Sequence, residues 1–311
     1  MREAHGGHDR DGAGCPSRNI RAPDRRRPRR LRRVMGDGRP FRLLAVTGGH
    51  RVDLDAFNTM LAAICGERSW AFAHAVQPAA QQWFGPEYRG SFDAILCHDL
   101  PGLFLQRGTA PRPVGPDRRV AERLHDLLEA GQGVVFLHHA LAGWPGWPAW
   151  AEVLGGRYHY APAELRGQCW PDSGFRYAEY VARVVDADHP VCVGVEDFTL
   201  TDELYCCPVF EADVVPLMRA DAPIGPFRET FHEVLGAPRT GPAWMHPPAS
   251  DLIAWATSTG RSPVVYVQPG DGAPTFADPT FRRLLGNALE WVSTADAHAW
   301  AVDRAAPAPN P

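Results

Sequence analysis

The first half of the chain after residue 40 alternates between continuous apolar runs and helical patterns. Apolar runs at 41–47, 70–76, 92–97 and 133–137 predict β-strands, and the first of them is predicted to be buried. Helical spacing follows the first run, where Asp53 or Asp55 can cap the helix, and recurs over 117–130. Strands without polar alternation that are joined by amphipathic helices are typical of a parallel sheet covered on both faces.

The second half has a different pattern. Residues 175–185 alternate between apolar and polar types and predict a half-exposed strand, while 204–217 predicts another strand interrupted by Pro208. Two short apolar runs, 252–256 and 264–268, predict a hairpin, and Asp278-Pro279 predicts the start of a helix. We therefore predict one mostly parallel α/β domain over 39–296 with an antiparallel section in its second half. Residues 1–38 and 297–311 are predicted to be disordered tails.

Charge is distributed unevenly along the 311 residues. Residues 1–40 contain 12 arginines and five acidic residues, a net charge of +7, whereas the whole chain carries −4. The other 271 residues therefore carry −11 and make a poor surface for phosphate backbones, so no nucleic-acid partner is expected. The arginine-rich segment is open to two interpretations, a nucleic-acid-binding arm or an over-called translation start before Met35, and we favour the second.

Composition excludes several classes of protein. All 32 basic residues are arginine, which excludes Schiff-base chemistry and a P-loop lysine. A complete GxGxxG is missing after every predicted strand, so no nucleotide cofactor is expected. No apolar run approaches the roughly 18 residues that cross a bilayer. Seven cysteines without a CxxC pair or a secretion signal predict reduced thiols and a cytoplasmic location.

Three predicted strands of the parallel sheet each end in a histidine. These are His50 after the first strand, His98 with Asp99 after the third, and His138 with His139 after the fourth. Because ligands gather outside the carboxyl ends of parallel strands, His50, His98 and His138 are candidates for a metal site or an acid–base cluster.

Structural roles for these histidines stay open beside the functional ones. His50 can cap a loop, and His98 can hydrogen-bond within its own turn beside Asp99. His139 is predicted to point away from His138 and to be structural. The sequence lacks the GxSxG and HExxH motifs, and no cysteine stands at a strand-to-helix turn.

A series of short motifs resembles the ThuA-like (trehalose utilisation) family. In order they are GGH at 48–50, GxGxxxLHHA at 131–140, LGG at 154–156, HPVxxGV at 189–195, DELY at 202–205 and VVYVQPGDG at 264–272. The resemblance covers about residues 41–294. It implies a flavodoxin-like fold related to class I glutamine amidotransferases, with a histidine at the turn where those enzymes hold a nucleophilic cysteine.

The resemblance also implies a set of site residues. His50, His98, His138 and Glu203 match the family pattern, whereas Asp271 stands in a PGD sequence where the family commonly shows PGH. An aspartate still offers an oxygen ligand to a divalent ion, for which zinc is the first candidate. We assign catalytic roles to three residues, substrate contacts to three and metal binding to three: His138, Glu203 and Asp271; Trp144, Tyr205 and Asp99; and His50, His98 and His138.

Two functions follow from this reasoning. The first is an enzyme of carbohydrate metabolism that isomerises or hydrolyses a sugar or keto-sugar at a His/Glu metal or acid–base site, without cysteine chemistry. The alternative is a non-catalytic sugar-binding or interaction protein on the same scaffold, which the aspartate at 271 favours. The expected partner is a small carbohydrate, no membrane partner is expected, and a homo-oligomer stays open.

Overall fold

The computed structural model describes residues 39–104, 106–109, 112–225, 227, 246–247 and 249–305. The predicted tail over 1–38 and the end of the predicted tail over 306–311 lie outside these described residues.

The described chain contains thirteen strands, six α-helices and four short 3₁₀ helices. The strands are β1 (Arg42–Gly48), β2 (Ala71–Val76), β3 (Ala94–Asp99), β4 (Leu103–Phe104), β5 (Arg112–Pro113), β6 (Val134–Leu137), β7 (Ala163–Leu165), β8 (Gln168–Trp170), β9 (Gly174–Val184), β10 (Phe198–Cys206), β11 (Val215–Asp221), β12 (Leu252–Thr259) and β13 (Ser262–Val267). The helices are α1 (Leu54–Arg68), α2 (Arg118–Glu129), α3 (Trp150–Leu154), α4 (Ala273–Ala277), α5 (Pro279–Trp291) and α6 (Ala295–Ala305).

Nine of these strands form one sheet in the order β10-β9-β11-β12-β13-β6-β3-β1-β2. The pairings among β2, β1, β3, β6 and β13 are parallel. The pairings from β13 through β12, β11 and β9 to β10 are antiparallel. This is the predicted flavodoxin-like sheet with an antiparallel section in its second half. The predicted strand over 204–217 is instead divided between β10 and β11.

Helices cover both faces of the parallel part of the sheet, which explains its continuous apolar strands. On one face the alternate residues of β1 and β3 pack with α1 and α5, and on the other face they pack with α2 and α3. The predicted caps at Asp53 and Asp278 are present, because their carboxylates accept backbone N–H groups in the first turns of α1 and α5. Asp117, which was not predicted as a cap, does the same for α2.

The C-terminal prediction needs a correction. A disordered tail was expected from residue 297, but α6 occupies Ala295–Ala305. Its alanines at 297 and 301 are fully buried. Alanine has the highest helix propensity, so the alanine-rich composition interpreted as a tail is equally suited to a helix.

The sheet brings the ends of distant strands together. Because β1, β3, β6 and β13 are parallel, the loops that follow them lie along one edge of the sheet. Within the described ranges, no helix has the length and apolar character needed to cross a membrane.

Candidate functional site

His138 occupies a sharp turn at the end of β6. Its backbone has a positive φ of 53°, a left-handed conformation that is uncommon outside glycine, and a short 3₁₀ helix, His138–Ala142, begins at the same residue. The side chain is fully buried. A left-handed non-glycine residue is a locally strained conformation of the kind that clusters at functional sites.

Hydrogen bonds fix the orientation of the His138 ring. Nδ1 lies 2.6 Å from the backbone oxygen of Gln268, and because a carbonyl only accepts, Nδ1 carries a proton and donates it. The Tyr205 hydroxyl lies 3.0 Å from Nε2. Tyr266 donates to the His138 carbonyl at 2.9 Å. The ring is therefore held in one orientation, with Nε2 as the nitrogen available for chemistry.

Two carboxylates face this nitrogen. Nε2 of His138 lies 3.5 Å from Glu203 Oε2 and 3.7 Å from Asp271 Oδ1. The carboxylate side chains are 18% and 34% exposed, so they form the open side of the cluster. Burial by itself would lower the pKa of His138, but Asp271, Glu203 and the charge of Asp202 outweigh it and raise that pKa to about 10. The close approach of His138 in turn lowers the pKa of the Asp271 carboxyl.

Asp202 holds the loop that carries Asp271. Its buried carboxylate accepts the backbone N–H of Gly270 at 3.0 Å and that of Asp271 at 3.3 Å. It also accepts the N–H of Glu203 at 2.7 Å and the hydroxyl of Thr275. One carboxylate thus connects β10 to the segment after β13, and this connection places Glu203 and Asp271 on the same side of His138.

His139 and His50 form a second pair of rings. Their centroids are 4.1 Å apart in a stacked arrangement, and the His139 ring also contacts His138 edge-on at 4.1 Å. Burial and three neighbouring histidines place the pKa of His139 well below its ordinary value. His50 is half-buried, and its Nδ1 lies 2.8 Å from the carbonyl of Arg51. The prediction that His139 points away was wrong, because the chain leaves the extended conformation at His138 and the alternation of side chains along a strand no longer applies there.

His98 supports the cluster from β3. Its Nε2 donates to the carbonyl of Gly270 at 3.0 Å, and its ring stacks on Phe57 at 5.3 Å. Its ring centroid lies 6.2 Å from that of His138 and 6.0 Å from that of His139. Burial lowers the pKa of His98 to about 3, so the ring is neutral. The expected gathering of His50, His98 and His138 is therefore present in the fold.

The best-placed metal-binding atoms belong to a different set from the predicted one. Ligand atoms of His138, His139, Glu203 and Asp271 all lie within 4.8 Å of one another. His138 is common to both sets, whereas Nε2 of His98 is occupied by Gly270. Two ring nitrogens and two carboxylates are a donor set suited to zinc and similar divalent ions.

The predicted substrate-contact residues lie in two places. Tyr205 contacts His138 directly, as described above. Asp99 points to the opposite face of the sheet from His98, where its carboxylate accepts the Gln77 amide at 2.7 Å. Asp99 and Trp144 line one small apolar cavity on that face. Trp144 is 6% exposed, so its ring is mostly buried by its neighbours.

A family model described as ThuA, trehalose utilisation, matches residues 104–292. The chain belongs to the ThuA family. It is therefore a trehalose-utilisation-related protein, and the resemblance inferred from the motifs is confirmed. No curated protein matches the chain in sequence.

Two solved structures of ThuA-like proteins share the fold. A ThuA-like protein from Parabacteroides merdae aligns with 16% identity and a TM-score of 0.57, covering 82% of this chain and 91% of that one. A ThuA-like protein from Bacteroides uniformis aligns with 18% identity and a TM-score of 0.53, covering 81% and 91%. A glutamine amidotransferase from Thermotoga maritima aligns with 10% identity and a TM-score of 0.43, covering 83% and 100%.

Sequence reasoning missed three contributors to this site in the ThuA-family chain. Gln268 orients His138 through a backbone carbonyl, which no side-chain motif reveals. Thr275 contacts Asp202 only because α4 follows the PGDG turn immediately. His139 was predicted to point away from His138. Two adjacent histidines at a strand-to-helix turn can, however, indicate a metal site with two nitrogen ligands.

Proposed function

We propose that this ThuA-family protein is an enzyme of carbohydrate metabolism that acts on a sugar or keto-sugar at the cluster of His138, Glu203 and Asp271. The observation that carries the proposal is the buried His138 ring, whose Nδ1 is committed to Gln268 and whose Nε2 faces two carboxylates. The family's description supports the substrate class. The free thiols of the six cysteines in the described ranges support a cytoplasmic location.

The same atoms suit a divalent metal ion, with zinc as the first candidate. His138 and His139 would supply nitrogen ligands, while Glu203 and Asp271 would supply oxygen ligands. The hydrogen bond from Nδ1 of His138 to a carbonyl is the outer contact that metal-binding histidines usually make. When bound, such an ion polarises a sugar carbonyl or hydroxyl.

Proton transfer by the side chains themselves is the second mode of the same site. With a pKa of about 10, His138 carries a proton at neutral pH and can donate it from Nε2 to a sugar oxygen. In this mode Glu203, which is partly exposed, accepts a proton from carbon or from water. An acid and a base that both contact one substrate support both isomerisation and hydrolysis.

Cysteine chemistry of the amidotransferase kind is disfavoured. His138 holds the turn after β6 where a nucleophilic cysteine would stand. Burial raises the pKa of Cys65 and Cys206 to about 11 and of Cys192 to about 12, so these thiols stay protonated.

A non-catalytic sugar-binding protein is the alternative function. The departure from the family pattern at Asp271 favours it, because a carboxylate there holds His138 in an ion pair. A permanently paired His138 would stabilise the loop rather than transfer protons.

The decisive experiment combines metal analysis with turnover. Purified wild type, His138→Ala, Glu203→Gln and the surface control His125→Ala are analysed for bound metal and incubated with ketoses and aldoses in deuterated water. We expect loss of bound metal, of deuterium incorporation or of both in the first two variants, with His125→Ala equal to wild type. Sugar binding without turnover in wild type would favour the alternative, and neither binding nor turnover would contradict both functions.

A further inference from the structure

Arg157 is a buried cation without a counter-ion in the described chain. The residue is 3% exposed, and burial lowers its pKa only to about 10, so it remains charged at neutral pH. Nη2 donates to the carbonyl of Trp144 at 2.7 Å, whereas Nη1 is buried without a hydrogen-bond partner. A buried charge left unpaired is costly, and folded proteins normally pair it.

A second unpartnered polar group lies nearby. His159 is 7% exposed, and its Nδ1 is also buried without a partner. Burial, followed by the charge of Arg157, lowers the pKa of His159 to about 4, so the ring is neutral and can donate a hydrogen bond. Arg157 and His159 together carry one positive charge and several unused N–H groups.

This pair lies beside the candidate site. The Trp144 carbonyl that Arg157 contacts is in the loop that leaves His138. Between Arg157 and His159, the Tyr158 ring packs on Tyr205 at 5.4 Å, and Tyr205 packs on His138 at 5.2 Å. The segment 157–159 is therefore connected to His138 through the packed rings of Tyr158 and Tyr205.

We infer that Arg157 and His159 form a subsite for the carboxylate of an acidic sugar. A single positive charge matches a carboxylate better than a phosphate, which carries nearly two negative charges. Guanidinium N–H groups bind carboxylates through charge-assisted hydrogen bonds. Because Nη1 is closed to solvent, binding of a ligand requires adjacent side chains to move. The neighbouring segment that would move is the loop of Trp144, a residue whose backbone has a φ of +45°. The inference rests on the proposed function and narrows its substrate class.

The test measures ligand-induced thermal shifts of the full chain with glucuronate and with its neutral counterpart glucose. Acetate and inorganic phosphate are the small-anion arms. Wild type, Arg157→Gln, Arg157→Lys and His138→Ala are compared. We expect glucuronate to stabilise wild type and His138→Ala, binding to weaken at least tenfold in Arg157→Gln, and Arg157→Lys to lie between them. Retention of the response in His138→Ala separates this subsite from the proposed metal or acid–base site.

The unliganded proteins provide a second readout. If Arg157 serves to bind a ligand, the melting temperature of unliganded Arg157→Gln should equal or exceed that of unliganded wild type, because the substitution removes an unpaired buried charge. A shift by glucuronate that persists in Arg157→Gln would overturn the inference, as would the absence of any shift in wild type. Equal affinity for acetate and glucuronate would overturn the sugar-acid class. Tighter binding of phosphate than of glucuronate would overturn the carboxylate assignment.

Discussion

The Nδ1 of His138 donates to the backbone carbonyl of Gln268 at 2.6 Å, and this bond leaves Nε2 as the nitrogen that faces the other side chains of the site. The other nitrogen, Nε2, faces the carboxylates of Glu203 and Asp271 and lies 3.0 Å from the Tyr205 hydroxyl. With a neutral His138 imidazole, this cluster would carry a net negative charge. A proton on His138 or a divalent cation would supply the balance, and metal binding is then expected to release that proton.

The protonation of His138 is the first prediction. Its pKa of about 10 results from the carboxylates that outweigh burial. Replacing either carboxylate, with Asp271→Asn or Glu203→Gln, is expected to lower the pKa, and the double variant to lower it further. Nitrogen NMR of the metal-free protein measures the titration directly, with the His138 signal assigned from its loss in His138→Ala.

The control for this titration is Glu164→Gln, which removes an exposed carboxylate on β7. The pKa of His138 should stay at its wild-type value in that variant. A His138 signal that titrates near pH 6.5 in wild type would contradict the predicted ion-pair cluster.

The raised pKa of Asp99 leads to a prediction of how the stability of the fold depends on pH. Burial raises its pKa to about 7, against the opposing effect of the Gln77 hydrogen bond. The unfolded chain has a value near 3.9, so the folded state binds the proton more tightly. This contribution to stability is full below about pH 4 and is lost as the pH rises through about 7.

Asp99→Asn isolates that contribution, because asparagine keeps the shape and stays neutral. The free energy of unfolding of wild type minus that of the variant should fall by about 4 kcal/mol between pH 4 and pH 7, and then level off. Urea denaturation at a series of pH values measures it. A constant difference between the two proteins would show that Asp99 is not shifted.

Two glycines give opposite predictions for the same substitution. Gly49 has a φ of +80°, and an added Cβ would lie 2.1 Å from the Leu100 carbonyl oxygen. Gly49→Ala is expected to lower the free energy of unfolding by about 3 kcal/mol and to displace His50. Gly66, in α1, has no atom within 4 Å of an added Cβ, so Gly66→Ala should raise stability by about 1 kcal/mol.

Thermal and urea unfolding of both variants check these values. Equal effects at Gly49 and Gly66 would show that the turn before His50 tolerates a side chain and does not determine the position of that ring.

Local sequence patterns were sufficient for most of the fold. Continuous apolar runs gave β1, β3 and β6 because parallel strands are buried on both faces. The cap of α5 was visible in the sequence as Asp278 before Pro279, at the start of apolar helical spacing. The division between β10 and β11 was missed because the residues joining them, 207–214, include apolar types that resemble a strand continuing past Pro208.

The site was only partly predictable for a different physical reason. Histidines at the ends of parallel strands identify the edge of the sheet, and this brought His50, His98 and His138 together correctly. Backbone carbonyls, such as those of Gln268 and Gly270, determine which ring nitrogen faces the rest of the site. Every residue has a backbone carbonyl, so the sequence does not indicate which carbonyls contact the histidines. Arg157 was not identified from the sequence for a similar reason, because only the three-dimensional structure shows that it has no counter-ion among the residues described.

Asp202 gives the last prediction, which concerns positioning rather than reaction. Its carboxylate is buried, accepts three backbone N–H groups and the Thr275 hydroxyl, and has no room for a substrate. Asp202→Asn replaces one accepting oxygen by a donor that faces other donors, so it should cost about 3 kcal/mol of stability. Thr275→Val removes a single donor and should cost about 1 kcal/mol. Amide hydrogen exchange at Gly270 and Asp271 should accelerate strongly in the first variant and weakly in the second. If exchange is unchanged in Asp202→Asn, the loop after β13 holds Asp271 against His138 without this carboxylate.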